Sequence, residues 1–340
     1  MHDRSLASVA VLAAMGAIVL VATGLLTAQS REAAGLWTTP RTAWGDPDLL
    51  GIWDYRTVTP LERPGNLADK EFLTDAEVAS VEQLASETGI TRDKDKREGL
   101  SAQEDLLYAY NDFWWDWGTT VASGARTSLI VVPADGRVPS LTPAAKEKAA
   151  ARRAAWAPGP AGSWEDVGLA TRCLLGLNSG PPMLTSAYNN NVQIFQTPDH
   201  VALLNEMIHS IRVIPLDGRP HVDGGIRQWK GDSRGRWEGD TLVVDTTNFT
   251  SRTPFRGSSR NMHLVERFTR AGDGLLLYEF TVDDPETFTS GWSAVLPMVK
   301  ADGAIYEYAC HEGNYGLANV LSGARAEERT AAEAAARGDR

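Results

Sequence analysis

Residues 264–282, LVERFTRAGDGLLLYEFTV, read as two strand-forming runs, 264–270 and 275–282, folded back on each other at Asp273-Gly274. An Asp-Gly pair accepts the positive φ angles of a tight hairpin turn, and β-branched and aromatic residues suit a pleated, half-buried surface. The pattern continues to either side. Runs at 201–208, 211–216 and 241–249 precede it, runs at 292–299 and 305–309 follow, and Asp217-Gly218, Gly239-Asp240 and Asp302-Gly303 supply further turns. Strands at intervals of about ten residues predict a mainly β fold, an antiparallel meander that curls into a barrel or half-barrel. A small closed barrel either fills with its own side chains or holds one small ligand.

The chain before this body is more mixed. Gly51-Ile52-Trp53 opens a short strand over 52–58, and Ser128 to Val132 form another. Thr74-Asp75-Ala76-Glu77 has the spacing of a capping box and starts a helix to about residue 86. Residues 87–105 are charged and weakly patterned, a solvated loop, and 108–117 hold Phe113, Trp114, Trp115 and Trp117, aromatic surface that covers a sheet edge or barrel mouth. Thr142-Pro143 begins a second helix, with proline where a missing N–H costs least, and 157–162 form a Pro/Gly linker. The expected layout is a signal segment at 1–28, then a partly helical insertion packed on the barrel at 29–162. The barrel body follows at 163–322, and an exposed Ala/Glu/Arg tail at 323–340. Val131–Pro139 and Val213–His221 resemble one another, a single hairpin chemistry used twice rather than a repeat.

The N-terminus predicts the compartment. After His2 and Arg4, residues 8–26 are almost unbroken apolar sequence, and Thr27-Ala28-Gln29 offers a small-residue cleavage site, the layout of a signal peptide. A run of 19 apolar residues also has the length to span a bilayer, so membrane attachment is expected only where the segment stays uncleaved. The formal charge of −11 is a poor match for a phosphate backbone, so nucleic acid is not an expected partner. The two cysteines, Cys173 and Cys310, read as one disulfide in an exported protein.

Several patterns bear on chemistry. Gly231-Asp232-Ser233-Arg234-Gly235 matches a nucleophile-elbow spacing, but that device needs a helix after the serine, and a turn and strand follow instead; a polar hairpin is the better account. His209, His221, His263 and His311 fall in the body with Glu206, Glu266 and Glu312 nearby. On a strand, residues i and i+3 point to opposite faces, so Glu206 with His209, or His263 with Glu266, would not share a site. A divalent metal would have to draw one histidine from each of several strands, and no cofactor is expected. Strand 241–249 mixes apolar and polar residues on both faces, which fits a partly polar barrel interior. Cys310-His311-Glu312-Gly313-Asn314 follows the last run and places a His and a Glu at a rim suited to acid–base work. Arg219, Arg227, Arg234, Arg236, Arg256, Arg260, Arg267 and Arg270 pair mostly with acids such as Asp232, Asp240, Glu266 and Asp283, leaving one or two for an anionic ligand.

Gly51-x-Trp53 ahead of a barrel-like meander resembles the lipocalin (calycin) superfamily, with a long, partly helical insertion as the departure. IPLDGRPH at 214–221, GDSRGRWEGDTLVVDTTNF at 231–249 and YACHEGN at 308–314 resemble a large group of secreted bacterial proteins of unassigned function, over about 45–328. The resemblance implies a lipocalin-like barrel and export, and carries no chemistry with it. Two functions follow as expectations. One is an exported enzyme, a lyase, isomerase or hydrolase using general acid–base chemistry on a small molecule. Its catalytic candidates are His311, Glu312, His263 and His209, with Glu206, His221, Asn248, Arg267 and Tyr278 as ligand contacts. The other is a non-catalytic lipocalin-like binding protein for an apolar or aromatic small molecule.

Overall fold

The computed structural model describes residues 37–92, 116, 118–155, 161–176 and 178–338. The stretch expected to be a signal segment, the charged stretch from residue 93 on and the aromatic run apart from Asp116 lie outside the described residues. Among the described residues no helix is long and apolar enough to cross a membrane.

The strands are β1 (Gly51–Asp54), β2 (Ile130–Val132), β3 (Asn191–Gln196), β4 (His200–Asn205), β5 (Ser210–Pro215), β6 (Asp232–Glu238), β7 (Thr241–Thr247), β8 (His263–Gly272), β9 (Leu275–Asp283) and β10 (Trp292–Lys300). They form one antiparallel sheet in the order β5-β4-β3-β1-β10-β9-β8-β7-β6, with β2 added beside β10, and the sheet curls into a nearly closed barrel. The expected single meander is thus two. One runs through β3 to β5, the other through β6 to β10, and β1 is spliced between them, pairing Trp53 with Val192 on one side and with Lys300 on the other.

Alternation decides which side chains fill the barrel. Leu242 and Val244, Leu264 and Phe268, Tyr278 and Phe280, and Trp292, Leu296 and Met298 all point inward and pack with Trp53 and Met183 in one core. The barrel centre is therefore filled with side chains. At the seam β5 and β6 carry no shared ladder, yet a Cβ on Gly235 would sit 2.6 Å from Leu216 and 2.8 Å from Ile214. The missing side chain lets the two edges close on each other.

Strand direction gives the barrel two unlike ends. The far end is sealed by residues 37–50: Gln196 accepts from the Leu49 amide at 2.7 Å and donates to Pro47 O at 3.0 Å. Arg270, 6 % exposed, lies 5.9 Å from the rings of both Trp37 and Trp53. The other end, the mouth, gathers the C-terminal ends of β1, β4, β7 and β9 and the N-terminal ends of β3, β5, β6, β8 and β10. The helices lie outside: α1 (Asp75–Arg92), α2 (Pro143–Ala155) and α3 (Tyr315–Arg337). The capping box at Thr74 and Glu77 forms as expected, with the Thr74 amide donating to Glu77 at 2.8 Å and the Glu77 amide returning to Thr74 Oγ1 at 3.4 Å.

Some elements differ from the sequence reading. Residues 305–309 form no strand, because β9 takes one edge of β10 while β1 and β2 take the other. The run 201–208 ends at Asn205, and a 3-10 turn over Met207–His209 follows. The 231–235 segment lies mostly within β6, with Ser233 buried against Thr246 at 2.9 Å. The C-terminal helix begins at Tyr315, eight residues before the expected tail.

Candidate functional site

Every ionisable group among the catalytic and ligand-contact candidates, Arg267 apart, lies at or toward the mouth, in three separate clusters. The first lies on the outer wall. Asp245 on β7 bridges two imidazoles, with Oδ1 2.9 Å from His221 Nε2 and Oδ2 2.9 Å from His263 Nε2. His221 Nδ1 faces Asp232 Oδ2 at 2.9 Å, Arg234 holds the other oxygen of Asp232 at 2.9 Å, and Asn248 Nδ2 donates to Val222 O at 2.9 Å. His221 thus stands between two carboxylates, one facing each ring nitrogen. The Asp245 hydrogen bond raises the His263 pKa against the opposing effect of burial. Burial works against the Asp245 charge too, but the two imidazoles outweigh it and hold that carboxyl below its usual range.

Replacing Asp245 by Asn removes the acceptor charge from both rings. In wild-type protein the His263 midpoint, followed by NMR of its ring protons, is expected above the ordinary 6.5, and in Asp245→Asn it falls. A raised histidine pKa stabilises the fold fully below the unfolded value, and that contribution fades as pH rises through the folded one. Equal midpoints in the two proteins would show that the pair is not coupled.

The second cluster is the disulfide corner. Cys173 and Cys310 are joined, 137 residues apart in sequence. Ile208 and His209 both have positive φ, 59° and 39°, an outlier for a β-branched residue, and this turn aims His209 Nδ1 at Tyr308 O, 2.9 Å away. The His209 and His311 rings lie 6.3 Å apart between centroids. Glu206 is buried and accepts from Asn191 at 2.8 Å and from the Tyr306 amide at 3.2 Å, so its oxygens hold the corner together. The structure places Glu206 and His209 in one corner, contrary to the opposite-face expectation, because a turn rather than a strand carries them. His311 and Glu312 are exposed on a loop ten residues beyond β10, not at a sheet end.

The third cluster is internal and sequence reading missed half of it. Arg212 on β5 reaches across the barrel to Glu266 on β8, which is fully buried, through two hydrogen bonds of 2.5 and 2.8 Å. Tyr278 donates to the same carboxylate at 2.8 Å and accepts from the Met183 amide at 3.0 Å, which pins the 178–186 segment across the mouth. Burial drives the Tyr278 pKa well above its ordinary value. Lys230 donates to Ser210 Oγ at 2.9 Å and to Ile211 O, and burial with the Arg212 charge beside it pulls its pKa down to about 8. Arg267 belongs to no cluster at the mouth, since it pairs with Glu238 on the outer wall at 2.9 Å.

Over the mouth lies a cleft of about 1170 Å³. Phe255, Leu184 and Trp229 give it apolar and aromatic surface over the buried Phe249 and Met262, Gly168, Leu169 and Ala170 form one wall, and Arg152, Arg172 and Arg252 with Glu165 and Asp166 supply its charge. None of the ionisable candidates from the sequence lines it; Asn248 and His263 are the chain neighbours of its residues Phe249 and Met262. Among the described residues no cluster of three or more His, Cys, Asp and Glu is arranged to hold a metal ion. Comparison with known proteins finds no family model and no curated protein that matches the chain.

Proposed function

We propose that this is an exported, lipocalin-like binding protein that takes one apolar or aromatic small molecule in the cleft over the barrel mouth. The observation that carries this reading is the cleft itself. Its volume is of the order of known small-molecule sites, and it combines aromatic and aliphatic surface with a few charged groups. The filled barrel interior supports placing the ligand above the core rather than within it. The disulfide and the apolar N-terminal run at 8–26 support export, since such bonds persist in oxidising compartments.

Gly168 provides a clean test, because it lines the cleft and a Cβ there meets nothing within 4 Å. The neutral fluorophore N-phenyl-1-naphthylamine is expected to bind saturably at one site per chain. Gly168→Trp is expected to weaken that binding at least tenfold at an unchanged melting temperature. Equal binding by both proteins, or no saturable binding by the wild type, would remove the cleft as the site.

A second reading, acid–base catalysis, is favoured by one feature. His263 keeps Nε2 on Asp245 while its Nδ1 has no partner among the described residues and its side chain is 35 % exposed, the layout of an oriented general base. That reading expects His263→Gln to lose turnover of a bound molecule while retaining its affinity.

A further inference from the structure

The cleft is unevenly supplied with charge. Of its cations, Arg252 is committed to Glu165 at 2.6 Å. Its other acid, Asp166, is turned back onto its own turn and accepts from the Ser163 amide at 2.8 Å. Arg152 sits exposed at the outer rim. Arg172 remains. It is half-buried, and its guanidinium lies over the Trp164 ring at 4.5 Å and 6.0 Å from the ring of Trp229. Among the described residues its side chain meets no carboxylate and donates no hydrogen bond.

Stacking on an indole uses the face of a guanidinium and leaves its edge of N–H donors directed outward. It also fixes the long side chain, so little rotamer freedom remains to be lost when an acceptor arrives. An oriented, partly desolvated fork with no acceptor, at the edge of an aromatic cleft, has the form of a bidentate site for a planar anion.

We infer that the ligand is an amphipathic anion, an aryl or alkyl carboxylate. Its acid head is held by Arg172 and its apolar body lies against Phe255, Leu184 and Trp229. This rests on the reading of the cleft as a ligand site and adds the chemical class to it. An acidic protein of net charge −11 repels anions at long range, so selectivity for one must come from a local fork of this kind.

The test uses two probes of equal shape, 2-naphthoate and 2-naphthamide, each competing with N-phenyl-1-naphthylamine on the mature full-length protein. Wild type is expected to bind the carboxylate at least tenfold more tightly than the amide. That ratio is expected to fall as sodium chloride rises, because only the anion contact is screened. In Arg172→Gln the ratio is expected to approach one, whereas Arg172→Lys, which keeps the charge without the fork, retains part of it. If Arg172→Gln fails to fold, the wild-type ratio, its salt dependence and the Arg172→Lys value still decide the matter. Equal affinities for the two probes in a wild type that binds the fluorophore overturn the anion inference and leave the cleft intact. A full preference surviving in Arg172→Gln overturns it by assigning the head group to another cation. Failure of all three probes to bind overturns both this inference and the cleft reading.

Discussion

Replacing Arg212 by Met is expected to cost about 3–5 kcal/mol of folding free energy at neutral pH, because it strands the Glu266 carboxylate in a fully buried position. The loss comes from the uncompensated charge rather than from the lost attraction. A guanidinium and a carboxylate replaced together should therefore cost far less than either alone. In Arg212→Met/Glu266→Gln the amide oxygen still accepts from Tyr278, now 2.8 Å from the carboxylate, and no charge remains to be desolvated. Urea unfolding of the two single variants and the double variant measures this as a coupling energy. A loss below about 1 kcal/mol in the single variant would mean that water reaches Glu266 and that the barrel is not closed there. Because Tyr278 also holds the Met183 amide, the same variant is expected to loosen the 178–186 segment at the mouth.

Breaking the disulfide has the second large effect. The bond closes a loop of 137 residues that contains β3 to β10, and constraining so long a segment in the unfolded chain corresponds to about 5 kcal/mol in the chain-entropy account. Cys173→Ser/Cys310→Ser is expected to lose most of that in urea unfolding. The loss should be matched by wild type under reducing conditions. Two alkylatable thiols in native, unreduced protein would contradict the pairing itself.

Much of the barrel was legible because its best strands are locally self-consistent. The runs at 241–249, 264–270, 275–282 and 292–299 each join strand-forming composition to a Gly-containing turn, and they correspond to β7 to β10. β6 went unread as a strand because DSRGRWE looks polar. Its alternation is nonetheless strict, with Asp232, Arg234, Arg236 and Glu238 facing outward and Ser233, Gly235 and Trp237 facing in. Residues 305–309 have strand-forming residues but find no partner, since whether a run becomes a strand depends on a free edge that sequence does not reveal.

The site was less legible for the same reason. Cys173 with Cys310 could be paired by elimination, whereas the Arg212–Glu266 contact joins β5 to β8 across the barrel and depends on how the sheet closes. The cleft is built from turns at 165–176, 180–184 and 249–255, whose residues carry no periodic signal. A positive sign was available in Trp164, Arg172 and Trp229, but only the fold brings them together.

The central claim is that the ligand sits over the barrel mouth, outside the filled core. A crystal structure of the protein soaked with 2-naphthoate tests it most directly. Naphthyl density is expected between Leu184, Trp229 and Phe255, with the carboxylate on Arg172. Density at the Cys310–Asn314 corner, or within the barrel in place of Met183, would contradict it.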